Sequence, residues 1–189
     1  MEGEYYKTQA SVQQYIRMAE GFNGGELITQ LKQVLPLNLT VLEIGSGPGT
    51  DWNILNETYV VTGSDNSAVF IEHLRKSYPD GQFLELDAST LATDQRFDGI
   101  YSNKVMHHLT NDQLAQSVNN QAKLLNSKGI ICHSFWKGEG SEVFKGLFVN
   151  YHTENGLRDA FGLHFDVISV MPYEEFEAGD SLLLIGRRK

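Results

Sequence analysis

A single cysteine, Cys132, stands among the 189 residues, so no disulfide can form within the chain. Its neighbours Ile130 and Ile131 are apolar, and inert packing is the expectation there. Positive charge is short as well: 15 lysines and arginines face 24 aspartates and glutamates, a formal net charge of −9. That balance argues against nucleic acid as a partner, because such binding draws most of its affinity from cations neutralising phosphates. The one dense basic run, Arg187-Arg188-Lys189, follows an apolar stretch and reads as a solvated tail. No cysteine pair or His-x₃-His spacing offers a zinc site, so no metal is predicted. No apolar run approaches the roughly 20 residues of a membrane span. The start, Met1-Glu2-Gly3-Glu4-Tyr5-Tyr6, lacks the basic flank and apolar core of a leader, and a cytoplasmic location is the expectation. Repeats and low-complexity tracts are absent too, and the length suits one domain with a sizeable core. Nothing in the sequence sets the oligomeric state.

What is present begins with Val41-Leu42-Glu43-Ile44-Gly45-Ser46-Gly47-Pro48-Gly49-Thr50-Asp51, an apolar run that breaks into three alternate glycines. It reads as a buried strand turning into a helix, with a loop whose backbone can lie against a nucleotide-like ligand. A dinucleotide fingerprint would need glycine or alanine at position 50, where Thr50 stands, so a nicotinamide-dependent dehydrogenase is disfavoured. The Gly-Lys-Ser/Thr ending of a phosphate-binding P-loop is missing as well.

Apolar periodicity predicts two helical stretches over 8–35, separated by Asn23-Gly24-Gly25. Strands follow over 40–44, 59–63, 82–86, 97–102 and 129–135, with helices over 68–78 and 113–125 between them. Pro79 and Gly129 lie just past the helix ends. This alternation argues for an α/β fold, a parallel sheet covered by helices on both faces. In the last third, 143–161 reads as helix, and the closely spaced strands 165–170 and 181–186 should pair antiparallel.

Glu43-x-Gly45-x-Gly47-x-Gly49 after an apolar strand resembles the first motif of class I S-adenosylmethionine-dependent methyltransferases. Phe97-Asp98-Gly99-Ile100 followed by His107-His108-Leu109 resembles the fourth motif of their small-molecule, ubiquinone-biosynthesis-like group. Motifs, rhythm and ending together cover nearly the whole chain. The resemblance implies a Rossmann-like sheet of seven strands with the last inserted beside the fifth. It implies one domain over 1–189, with a helical lid over 1–36 and a core over 37–189. S-adenosylmethionine would be the cofactor and an unidentified small molecule the methyl acceptor.

The same resemblance distributes the site. Gly45, Ser46, Gly47 and Gly49 would lie against the methionine and ribose portion, and Glu43 would hold the ammonium group directly or through water. Asp65, 20 residues after Gly45, ends the second strand and can accept from both ribose hydroxyls, although it could instead cap the helix starting near Ser67. Asn66 stands where an apolar residue usually packs on adenine. Asp87-Ala88 would read the adenine edge, with Ser89 and Thr90 offering a capping alternative. Ser102 and Asn103 would offer backbone carbonyls to the ammonium, while Lys104 has no assigned role. His107 and His108 titrate near neutrality, but packing explains them as well as base catalysis does, so no catalytic residue is named. Trp136 could line an acceptor pocket or cover the sheet end, and Tyr5, Tyr6 and Tyr15 fit a lid. A non-catalytic cofactor-binding or scaffold module is the competing reading, kept open by Asn66 and Lys104.

Overall fold

The structure, a computed structural model, describes residues 6, 8–144 and 146–189. Tyr5 lies outside the described residues. Two helices lead, α1 (Gln9–Ala19) and α2 (Gly25–Lys32), followed by β1 (Thr40–Ile44), α3 (Thr50–Asn56), β2 (Val60–Asp65) and α4 (Ala68–Ser77). Next come β3 (Gln82–Glu85), β4 (Phe97–Ser102), α5 (Asn111–Leu124) and β5 (Leu125–Trp136). The chain continues through β6 (Ser141–Phe144), β7 (Leu147–Asn150), α6 (Glu154–Gly162), β8 (Phe165–Tyr173) and β9 (Ser181–Arg188).

Seven strands form one sheet in the order β3-β2-β1-β4-β5-β9-β8. The first five are mutually parallel, and β9 enters antiparallel between β5 and β8, as the closely spaced final strands require. Period-two alternation sends Leu42, Ile44, Ile100 and Phe135 into one core with Phe161 and Phe165. Val41, Tyr101 and Cys132 enter the opposite core with Ile28 and Leu31 of α2, and with Leu55 and Leu74. Buried among these, the Cys132 thiol is pushed up to about 12, which suits inert packing.

Two expectations fail. Residues 143–161 are not one helix: β6 and β7 form a separate antiparallel hairpin, and helix starts only at Glu154. Val143, Phe144, Phe148 and Val149 are β-branched or aromatic, Gly146 turns at φ 80°, and the Thr153 hydroxyl accepts from Gly156 N–H to start α6. Nor is the terminal basic run a tail, since β9 extends through Arg188, although Arg187 and Lys189 are exposed to solvent as expected. Arg187 pairs with Ile130 and Asp166, the Arg188 guanidinium donates to Leu125 O, and the Lys189 ammonium donates to Gly162 O.

Gly49 caps α3 at φ 89°, and a Cβ there would lie 2.7 Å from both Leu74 Cδ2 and Tyr78 Cε2. Gly49→Ala combines a left-handed backbone with a steric clash and is expected to destabilise the fold by about 1–3 kcal/mol. Urea denaturation checks this, and an unchanged midpoint would contradict it.

Candidate functional site

At the carboxyl ends of β1 to β4 the chain encloses a cavity of about 320 Å³. Ligands occupy this place in open parallel sheets, because loops on both sides of the strand ends leave a crevice there. Of the residues singled out in the sequence, Gly45, Gly47, Asp65, Asn66, Asp87, Ala88 and Asn103 line it. Glu43, Ser46, Gly49 and Ser102 stand behind its wall. Tyr6 and Tyr15 close one side with Phe70, their rings 5.3–6.0 Å apart.

The glycine loop is held from below. Its Gly47 N–H donates to Asp65 Oδ2 at 3.0 Å, and Ser67 N–H donates to Asp65 Oδ1 at 2.9 Å. Asp65 therefore braces its own turn and still lines the cavity, with lone pairs to spare on both oxygens. Burial raises its pKa despite these backbone donors and that of Asn66. Gly45 has no room for a side chain, since a Cβ there would meet Val105 Cγ2 at 2.4 Å.

Asp87 Oδ1 accepts from Ser89 N–H at 2.8 Å, from the Ser89 hydroxyl and from Thr90 N–H at 3.2 Å. Burial pushes this carboxyl up, but the three donors outweigh it and leave the pKa lowered. Among the described residues no protein group accepts from Ala88 N–H.

Ser102, the last residue of β4, and Asn103 just past it face opposite sides, continuing the alternation of the strand. The Ser102 hydroxyl turns into the core against His133 Nδ1, 2.8 Å away. Asn103 turns the other way: its Nδ2 donates to Asp51 Oδ2 at 3.1 Å, and its Oδ1 accepts from the Ser134 hydroxyl at 2.6 Å. Asp51 was not among the candidate residues. It accepts from Tyr101 Oη at 2.8 Å and from Gly24 N–H at 2.6 Å, joining three segments at one carboxylate. Its signal was an acidic residue in the first turn after a glycine loop.

Lys104 carries its cation away from the glycine loop. With φ 53°, it places Nζ 3.4 Å from the Trp136 ring centroid, within reach of Phe135 O and the Ser181 hydroxyl. Trp136 stacks at 5.9 Å on Phe176 and is not a cavity wall, so it covers the sheet end. His107 is buried, its ring 4.0 Å from that of His108, and burial keeps it neutral well below its usual pKa. His108 lines the cavity, and its Nδ1 lies 2.7 Å from Phe148 O. A carbonyl can only accept, so Nδ1 carries the proton and Nε2 keeps its lone pair.

Burial, then repulsion from Asp51, raises the Glu43 carboxyl to about 8; the Ser46 hydroxyl bonded to it opposes the rise, and Asp65 adds to it. An unfolded glutamate loses its proton near 4.5, so the folded chain holds an extra proton between about 4.5 and 8. The stability tied to this group is complete below 4.5 and is lost as pH rises toward 8. Glu43→Gln keeps the shape without titrating. It is expected to raise the melting temperature more at a pH above the folded value than at one near the unfolded value; thermal unfolding under the two conditions checks the difference.

Residues 41–129 match the family described as Methyltransferase domain. No curated protein sequence matches the chain. Among solved structures, it is similar to the Burkholderia thailandensis 1,6-didemethyltoxoflavin-N1-methyltransferase with bound 1,6-didemethyltoxoflavin and S-adenosylhomocysteine. That likeness has a TM-score of 0.77 at 19% identity, over 98% of this chain and 84% of that one. It is similar to a TehB-like methyltransferase from Corynebacterium glutamicum at TM-score 0.75 and 18% identity, over 96% and 100% of the two chains. The N-methyltransferase NodS from Bradyrhizobium japonicum in complex with S-adenosylhomocysteine gives 0.72 at 15% identity, over 98% and 99%. The sheet order with its inserted antiparallel strand gives the chain the fold of these solved methyltransferases, and residues 41–129 carry the match to a methyltransferase domain.

Proposed function

We propose that the cavity holds S-adenosylmethionine and that the chain transfers its methyl group to a small-molecule acceptor entering beside His108. The carrying observation is the convergence of two strand-end carboxylates, Asp65 and Asp87, with the glycine loop in one cavity. Asp65 has acceptor capacity for ribose hydroxyls, and Asp87 Oδ2 with Ala88 N–H presents an acceptor and a donor side by side for an adenine edge. Tyr6, Tyr15 and the α1 segment would cover the cofactor as a lid. Ser46, Gly49 and Ser102 support this site from behind rather than by side-chain contact. Asn66 adds a polar group to the adenine end.

When bound, the cofactor supplies a methyl group on a cationic sulfur, which leaves with the carbon–sulfur electron pair. The chain's task is then alignment and exclusion of water. Val105, Leu147 and Phe148 give the cavity apolar walls. His108 Nε2, neutral because burial lowers its pKa, would accept a hydrogen bond from an acceptor N–H or O–H and take that proton as the new bond to carbon forms. Glu43 favours a nearby cation through its field, losing its proton more readily when one is present.

The acidic balance of the chain disfavours a polyanionic acceptor, and the bound 1,6-didemethyltoxoflavin of the similar Burkholderia protein is itself a small molecule. Isothermal calorimetry with S-adenosylhomocysteine tests the cofactor reading. Saturable binding is expected, with a loss of at least about tenfold for Asp65→Ala. Folded protein that binds none, or that binds equally well after the substitution, would overturn it.

A further inference from the structure

We propose that Ser117, Gln121 and His133 are positioning residues that hold the turn 87–90 in the shape that selects adenine. The proposal rests on the reading of Asp87-Ala88 as the adenine end of the cofactor site. None of the three lines the cavity, and all are fully buried on the sheet face covered by α5. Buried polar groups on a helix–sheet interface need partners, and these partner one another in a single file.

The file begins at Ala88. Ser117 Oγ donates to Ala88 O at 2.6 Å, Gln121 Nε2 donates to Ser117 Oγ at 3.2 Å, and Gln121 Oε1 lies 2.8 Å from His133 Nε2. His133 Nδ1 lies 2.8 Å from Ser102 Oγ. One carbonyl fixes every proton in the chain. Ala88 O can only accept, so the Ser117 hydroxyl spends its proton there and must accept from the amide nitrogen of Gln121. Gln121 then presents oxygen to His133, whose Nε2 must be protonated and whose Nδ1 must accept from Ser102. All four donors point toward Ala88, and such alignment polarises each bond in the same sense. Burial holds the imidazole neutral, at a pKa of about 3.

The next turn of the same helix adds a second hold. Asn120 Nδ2 donates to Ser89 O at 3.2 Å and to Thr90 O at 2.9 Å. Three consecutive carbonyls, of Ala88, Ser89 and Thr90, are thus gripped from α5. Asp87 Oδ1 meanwhile binds the amides of Ser89 and Thr90 from the other side. A turn gripped on both sides leaves Asp87 Oδ2 and Ala88 N–H as its outward-facing pair, with their relative direction set by groups that never touch the cofactor. Adenine presents a donor and an acceptor to such a pair, whereas hypoxanthine reverses the donor at the exocyclic position.

Nitrogen-15 NMR of the unliganded protein and calorimetry on variants test this together. His133 is expected to show the neutral, Nε2-protonated pattern unchanged from about pH 5.5 to about pH 8.5, far above its folded pKa. An Nδ1-protonated ring, or titration in that range, would overturn the hydrogen-bond order. Wild-type protein is expected to prefer S-adenosylhomocysteine to S-inosylhomocysteine. Ser117→Ala should weaken the adenosyl ligand about tenfold while changing the inosyl ligand little, because only the first needs the turn held. Asn120→Ala, at a less buried position, should move the ratio in the same direction. Equal losses for both ligands would reduce these residues to ordinary fold support and overturn the proposal. Wild-type protein that binds neither nucleoside overturns the cofactor reading and the selectivity with it, while the nitrogen spectrum still decides the order of the chain.

Discussion

The Asp51 carboxylate is the constraint on which the site depends. Almost wholly buried, it needs donors, and it finds them on Gly24 ahead of α2, on Tyr101 within β4 and on Asn103 at the β4 tip. Removing any one leaves a charged group short of a partner where water is scarce, a costly state. The N-terminal helices therefore cannot be placed independently of the strand end that faces the cavity. Gly24 is required by the same junction, since a Cβ there would lie 2.2 Å from Tyr101 Oη. Asp51 itself rides on the first turn of the helix that leaves the glycine loop, so the loop, the start of α2 and the β4 tip share one anchor.

Alternation along the strands divides the support of the cavity between two independent systems. On one face Asp51, Tyr101, Asn103 and Ser134 form a network around a charge. On the other, Ser102, His133, Gln121 and Ser117 form a neutral file. The first ends near the glycine loop, the second under the turn that follows β3. Both pass through adjacent residues at the end of β4, which is why that strand tip matters more than its small share of the cavity wall would suggest.

Much of this was legible in the sequence, for physical reasons that differ by element. The glycine loop was readable because its conformational demands admit few residues, and Asp65 because its distance from the loop is set by one strand-helix-strand unit. The seven-stranded sheet followed from apolar rhythm and from the short connection before β9. The β6–β7 hairpin was not legible, since its apolar residues fit a helical period as well as an extended one and only Gly146 marks the turn. Ser102 was grouped with Asn103 for the backbone carbonyls that the resemblance implies, and their opposite side-chain partners come from other segments that spacing does not reveal. Asp51 and the buried file were hidden because their partners come from distant segments, which spacing along the chain does not reveal.

Lys104 sits where an aromatic surface and two polar oxygens make a receptacle for a cation, and the chain fills it with its own ammonium. Aromatic faces attract positive charge by their quadrupoles, so an empty receptacle of this kind beside the cavity would gather quaternary and protonated amines from solution. Self-occupancy reverses that preference: an arriving cation meets a like charge already seated, and the nearby aromatic rings are spent. The chain's own charge thereby closes this receptacle to other cations.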